Sequence, residues 1–384
     1  MISTQASRSV RLQSVDLLRG AVMVLMAIDH VRVYSGLPAG GREPGIFFTR
    51  WITHYCAPAF VFFAGASAFL YGAKLNDTRK LSIYLFTRGL LLAVLDLTLI
   101  RFFWTFNVDY SHFVLAGVIW MLGWCMVLMA ILVKLRPAVA GITGLAIIFF
   151  QQVFQLVPRA LPGSSRAAFG RFWEFIYSSG LEGPPGISIL YVLVPWIGVM
   201  AAGYGFGLIL QMEPAKRQRI CLGIGLSAIA LFLIAGSIIA VQPHDADAPP
   251  FIYRLLSQSK YPPSQLFLLM TLGPVIALVP HAEKATGWLA KALTIIGQVP
   301  FFYYLLHILL IHLSALIVNF IRMGTVVPAW YASAPYSSVP HEYTWSLGLL
   351  YLVFIIDVLL LYVACRWYAQ YKQQHPEKQW LKYL

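Results

Sequence analysis

The stretch "MAIDHVRVY", residues 26–34, places Asp29, His30 and Arg32 within four positions of one another in an otherwise apolar run. An ionisable side chain inside a membrane span costs about 2.5 to 3.5 kcal/mol on insertion scales, so it needs a partner, water or a function. A neighbouring carboxylate can hold an imidazole in one tautomer and keep it basic. The stretch therefore predicts a general base or nucleophile, with a snorkelling interfacial histidine as the alternative.

The depth of His30 follows from its distance to the start of the same helix. Asp16 and Arg19 are three residues apart there, where they share a helix face and either fix the helix end or take part in function. His30 lies eleven residues beyond Arg19, which is about 16 Å along a helix. We therefore expect His30 in the outer half of the membrane.

Other polar residues are predicted on the same outer side. His54, in "RWITHYCAP", begins the second span, and a short connection could bring it opposite His30 in one cavity. Further groups either line a polar outer cavity or form a hydrated loop layer. They are Arg101, Asn107, Asp109, His112, Tyr261 and Ser264.

The stretch "GQVPFFYYLLHILLIHL" carries two more histidines, His307 and His312. Five residues along a helix turn through about 500°, so the two side chains lie about 140° apart and cannot face one cavity. His307 is nearer mid-membrane and is the better functional candidate. We interpret Asp96 and Asp357, which are isolated in their spans, as residues satisfied by helix neighbours.

These residues are embedded in a strongly apolar chain. Of its 384 residues, 59% are hydrophobic and 11% are charged, whereas a soluble domain has about a quarter charged residues. The net charge of +13 comes from short basic clusters between apolar segments, which orient helices and do not indicate nucleic-acid binding. The four cysteines have neither CxxC pairing nor histidines at metal spacing, so we predict no metal site.

The apolar segments predict an all-α fold, a polytopic transmembrane helix bundle of about ten spans. Basic connections after alternate spans place them, and both termini, in the cytoplasm. We expect a single transmembrane domain over residues 1–384, with a cytoplasmic segment 1–15 and a cytoplasmic tail 368–384. The predicted spans are 16–36, 52–73, 82–102, 112–134, 138–157, 188–210, 220–241, 264–280, 293–320 and 345–367.

Several motifs in this order resemble one family. They are "VDLLRG" with His30 ten residues later, "RWITHYCAPAFVFFAGASAF", "FFWTFNVDY", "YVLVPWIGVMAAGYGFG", "KYPPSQLFLLMTLGP" and "GQVPFFYYLLHILLIHL". They look like the bacterial family related to the catalytic domain of heparan-α-glucosaminide N-acetyltransferase. The resemblance implies a transmembrane acyltransferase that acetylates a sugar amine or hydroxyl on the far side of the membrane from cytoplasmic acetyl-CoA.

In that family a histidine near the outer end of the first span is assigned to catalysis. In the lysosomal enzyme, asparagine takes the place of His30, and the histidine lies further on, in the following loop. This chain has no histidine between residues 31 and 53. The role therefore falls to His30 or His54, and Asp29 beside His30 favours the former.

The resemblance also implies the partners. Coenzyme A phosphates call for basic residues at the cytoplasmic mouth, and the candidates are Arg19, Arg79, Lys80 and Arg88. We expect acetyl-CoA, a sugar or envelope-glycan acceptor and the bilayer of the cell inner membrane as partners, and a homodimer stays open. The alternatives are a proton-coupled small-molecule transporter, which would keep several ionisable groups at mid-membrane, and a non-catalytic assembly partner.

Overall fold

The computed structural model describes residues 13–111, 114–162, 169–178, 186–243, 245, 247–325 and 339–382. The fold is all-α, as predicted, apart from one short parallel strand pair. The helices are α1 Gln13–Ser35, α2 Pro44–Ile52, α3 Cys56–Leu75, α4 Thr78–Leu95, α5 Arg101–Thr105, α6 Val118–Leu132, α7 Pro137–Phe149, α8 Trp196–Leu210, α9 Pro214–Ala240, α10 Phe251–Leu256, α11 Gln265–Lys284, α12 Trp288–Gln298, α13 Pro300–Met323 and α14 Leu347–Gln374.

Membrane-crossing capacity differs between these helices. Among the described residues, six helical segments are long and apolar enough to span a bilayer, and counting one bent pair, Pro137–Phe149 with Gln151–Ala160, gives seven. The sequence predicted about ten. Helices α6 and α8 are shorter apolar helices of 15 residues, or about 22 Å, and α1 carries too many charges for this criterion. By length and composition, six or seven of the about ten predicted spans thus meet this criterion within the described residues.

Helix α1 is the centre of the bundle and contacts elements from both halves of the chain. It packs against α3, α11, α12, α13 and α14. The contact with α12 is close because both helices have a glycine there. A Cβ at Gly20 would lie 1.9 Å from the carbonyl oxygen of Leu293, and one at Gly297 would lie 1.8 Å from that of Asp16. Only glycine lets the two backbones approach to this distance.

The breaks in the helices lie near the polar residues of the core. Helix α4 continues through a π-helical turn, Asp96–Ile100, into α5. The Asp96 carboxylate accepts hydrogen bonds from the backbone N–H groups of Gly117 at 2.9 Å and Trp120 at 3.0 Å. It thereby caps the start of α6. This confirms that a helix neighbour satisfies Asp96.

The two strands lie beside this cap. Strand β1, Val114–Ala116, pairs in parallel with β2, Ile187–Ile189, with Val114 opposite Ile187. They form a small cover next to the C-terminal end of α1.

Candidate active site

His30 on α1 contacts His307 on α13 directly. The His30 Nδ1 atom lies 2.7 Å from the His307 Nε2 atom, and the rings stack with centroids 4.9 Å apart. The His307 side chain is fully buried. The structure therefore brings together two of the histidines that the sequence predicted as candidates, although 277 residues separate them.

The hydrogen bonds of His307 define which nitrogen carries a proton. Its Nδ1 atom lies 2.6 Å from the carbonyl oxygen of Tyr304 and 3.1 Å from that of Tyr303. A carbonyl only accepts, so Nδ1 is the donor and Nε2 of the neutral ring is an acceptor. His30 then donates from Nδ1 to His307 and keeps the lone pair of its own Nε2. This is the arrangement of a general base oriented by a second histidine.

Asp29 has other partners than the predicted one. Its carboxylate accepts hydrogen bonds from Arg32 Nε at 3.0 Å and from Arg50 Nη1 at 2.9 Å. Consecutive side chains on a helix point about 100° apart, so Asp29 and His30 face different neighbours. The expectation that Asp29 orients His30 is wrong in this geometry, because His307 occupies that position. The catalytic role of His30 itself stays a prediction.

Two cavities meet at His30. One, the Arg101 cavity, has a volume of about 280 Å³ and is lined on one side by Asp29, Arg50 and Arg101. The other, the junction cavity, is smaller, about 40 Å³, and Cys56, Phe60, Ile119 and Lys260 are among its lining residues. His30 and Tyr304 line both.

A third cavity adjoins the junction cavity and extends to Arg19 near the start of α1. This Arg88 cavity, of about 250 Å³, is lined by Arg19, Arg88 and Lys372 at its polar part. It shares Phe60, Ile119 and Tyr304 with the junction cavity. Each of the three cavities therefore shares wall residues with its neighbour, and the set extends from Arg19 and Arg88 to His30 and Arg101.

The predicted coenzyme A residues divide into two groups. Arg19 and Arg88 line the Arg88 cavity. Arg19 also donates to Asp16 at 2.5 Å and to the carbonyl oxygen of Gly297, so it has a structural contact as well. Arg79 and Lys80 are not among the lining residues, and the Lys80 side chain is exposed and pairs with Asp77.

His54 lies apart from His30. It lines the Trp51 cavity, a volume of about 640 Å³ bounded by Arg42, Trp51, Lys260 and Tyr261 among others. The expectation that His30 and His54 face one cavity is not met, because His54 lines neither of the two cavities that His30 lines. Lys260 is the residue that lines both the Trp51 cavity and the junction cavity.

The other predicted substrate residues also divide. Arg101 lines the Arg101 cavity, and its guanidinium also donates to the backbone carbonyls of Asn107 and Asp109. These hydrogen bonds hold the turn at Asn107 and Asp109 in place. Ser264 caps α11 by accepting from the N–H of Phe267. These four residues thus have structural contacts and their roles as substrate ligands stay predictions, while His112 lies outside the described residues.

Tyrosines and one lysine complete the site. The hydroxyl oxygens of Tyr191 and Tyr261 lie 3.4 Å apart, and Lys260 lies over both rings. Burial raises the pKa of Tyr191. Burial acts in the same direction on the pKa of Tyr261, but the positive charges of Lys260 and Arg50 outweigh it and lower that pKa. Sequence reasoning missed Lys260, Arg50 and Tyr304, whose placement depends on tertiary contacts.

A family model described as heparan-alpha-glucosaminide N-acetyltransferase, catalytic, matches residues 11–239. The chain belongs to this family. The resemblance that the motifs predicted is thereby confirmed, and the match includes His30, His54 and Arg101. His307, Tyr304 and Lys260 lie beyond residue 239, so the partners of His30 come from the part of the chain outside the N-acetyltransferase match. No curated protein matches the chain.

Proposed function

We propose that the protein is a membrane-embedded acetyltransferase that moves an acetyl group from acetyl-CoA to a sugar amine or hydroxyl. The observation that carries the proposal is the succession of cavities from the basic Arg88 cavity through the junction cavity to His30. A donor entering from one membrane face and an acceptor entering from the other would meet at His30. The family match supplies the reaction class.

The donor fits the Arg88 cavity in shape and charge. The cavity wall combines apolar side chains such as Phe60 and Leu122 with the cations Arg88 and Lys372. A narrow pantetheine arm can pack against the apolar part, while guanidinium and ammonium groups bind the nucleotide phosphates. The positive-inside pattern supports a cytoplasmic position for this mouth, which an inner-membrane location would require.

The chemistry requires few protein groups. His30 Nε2 accepts the proton of the acceptor nucleophile, which attacks the thioester carbonyl and forms the new C–N or C–O bond. As the tetrahedral intermediate collapses, the C–S bond breaks, and the protonated His30 returns the proton to the CoA sulfur. The phenols of Tyr191 and Tyr304 line the junction cavity and are placed to donate to the oxyanion.

A covalent route uses the same residue. His30 Nε2 would attack the thioester, release CoA and carry the acetyl group until the acceptor arrives. Release of CoA without acceptor, with a burst equal to the enzyme concentration, supports this route. An acceptor requirement for any release supports direct transfer.

The test is CoA thiol release by purified protein with ¹⁴C-acetyl-CoA and a panel of amino sugars and envelope glycans. We expect label on the acceptor and a fall of about 10²- to 10⁴-fold for His30→Ala. The matched control is His312→Ala on the same helix as His307. Vesicle uptake of unmodified acceptor without acetyl transfer would favour the transporter and contradict the proposal.

A further inference from the structure

The Trp51 cavity is basic and belongs to no step described so far. Its wall contains Arg42, Arg50 and Lys260 together with His54. None of the described residues that line this cavity is an aspartate or a glutamate. Low-dielectric walls around charges of one sign concentrate the opposite sign, so the cavity favours an anion.

Lys260 is a buried cation of this wall that pairs with no carboxylate among the described residues. The residue is 8% exposed, and its ammonium contacts the ring faces of Tyr261 at 5.2 Å and Tyr191 at 5.8 Å. Within the described part of the chain, Lys260 forms no salt bridge. The nearby Asp29 is already shared by Arg32 and Arg50. A buried ammonium without a counterion is costly, and a bound anion would compensate for it.

Two further polar atoms of the same wall lack partners. Trp51 Nε1 and His54 Nδ1 are buried and make no hydrogen bond within the described residues. Buried polar groups in folded proteins are nearly all hydrogen-bonded. Both residues line the same cavity as Lys260.

We infer that the Trp51 cavity binds an anionic group, a carboxylate or phosphate, of the acceptor sugar, and that Lys260 is its principal ligand. The inference deepens the proposed function and rests on it. Because Lys260 also lines the junction cavity with His30, an acceptor held there by its anion would present a neighbouring amine or hydroxyl to His30. The aromatic faces of Trp51 and Tyr253 in this cavity suit the apolar face of a sugar ring.

The test compares acceptors that differ only in charge. Acetyl transfer is measured with glucosamine and glucosamine 6-phosphate, and with glucose and glucuronic acid, for the wild type and for Lys260→Met. Lys260→Met removes a hydrogen-bonded ion pair from a buried site, so its KM for the anionic acceptors should rise by about 10- to 100-fold. In Lys260→Met the preference in kcat/KM for the anionic over the neutral or cationic member of each pair should fall by the same factor, whatever common effect the variant has on both members. Lys134→Met, at an exposed connection, is the matched control.

The outcomes separate this inference from the proposed function. A wild type that prefers neither member of a pair, or a Lys260→Met variant that lowers kcat equally for all acceptors, overturns the anion site while transfer itself stands. If no acceptor is acetylated, glucuronate and inorganic phosphate are tested by calorimetry. Binding that is lost in Lys260→Met then supports the anion site alone, and absence of binding overturns it.

Discussion

Replacing His307 by alanine tests whether one histidine orients the other. The variant removes the acceptor of the 2.7 Å hydrogen bond from His30 Nδ1 and leaves that N–H unpaired in a buried site. An unpaired buried donor costs about 1 to 3 kcal/mol. If this cost disfavours the tautomer and orientation in which His30 acts as the base, kcat falls by about 5- to 150-fold.

The expected ranking of variants makes the reasoning specific. His307→Ala should be less damaging than His30→Ala, because it removes the orienting group and keeps the base. His307→Gln should recover part of the rate, since its amide oxygen can accept from His30 while its NH₂ donates to the Tyr304 carbonyl. The measurement is the kcat of CoA release at saturating acetyl-CoA, with thermal unfolding in detergent as the check on folding.

One result would refute this account. If His307→Ala has the kcat of the wild type, then His30 is either oriented by another group or is not the base. His312→Ala provides the comparison for loss of a buried histidine from the same helix. The His312 ring stacks on Phe106, and its Nδ1 atom lies 2.7 Å from the carbonyl oxygen of Phe103. His312 is not among the residues that line the Arg88, junction or Arg101 cavity.

Three further predictions concern the donor mouth, helix packing and orientation. Arg88→Ala should raise the KM for acetyl-CoA by about 3- to 30-fold through loss of a phosphate contact, whereas Lys80→Ala should leave it unchanged, and steady-state kinetics decides. Gly297→Ala should lower the thermal midpoint, because its Cβ would meet a backbone oxygen at 1.8 Å and overpacking costs about 1 to 3 kcal/mol. Gly223→Ala, with nothing within 4 Å, should not, and equal midpoints would contradict the packing. An impermeant maleimide should label Val108→Cys in intact cells and Lys80→Cys only after lysis; the reverse pattern would overturn the orientation.

Local patterns predicted the features that depend on neighbours in sequence. Apolar runs located the helices, and the i,i+3 spacing of Asp16 and Arg19 predicted a contact that the structure has at 2.5 Å. The angle between His307 and His312 predicted that they face different surroundings, and they contact His30 and Phe103 respectively.

The wrong and missed features depend on contacts between distant helices. Asp29 is adjacent to His30 in sequence but turns away from it on the helix, towards Arg50. Lys260 lies in a loop, and its burial beside Tyr191 depends on how that loop packs in the folded chain. The predicted number of spans is larger than the number of helices long enough to cross a bilayer. Hydropathy alone cannot show that α6 and α8 end after 15 residues.

The long sequence separation between His30 and His307 has a consequence for biosynthesis. Translation adds about 5 to 20 residues per second, so α1 leaves the ribosome roughly 15 to 60 s before α13 is made. Throughout that interval Asp29 can pair with Arg32 and Arg50, both of which emerge early, whereas His30 has no His307 to meet. Insertion of the charged helix is thus supported from the start, and the histidine pair is assembled among the last contacts, when the C-terminal helices join the bundle.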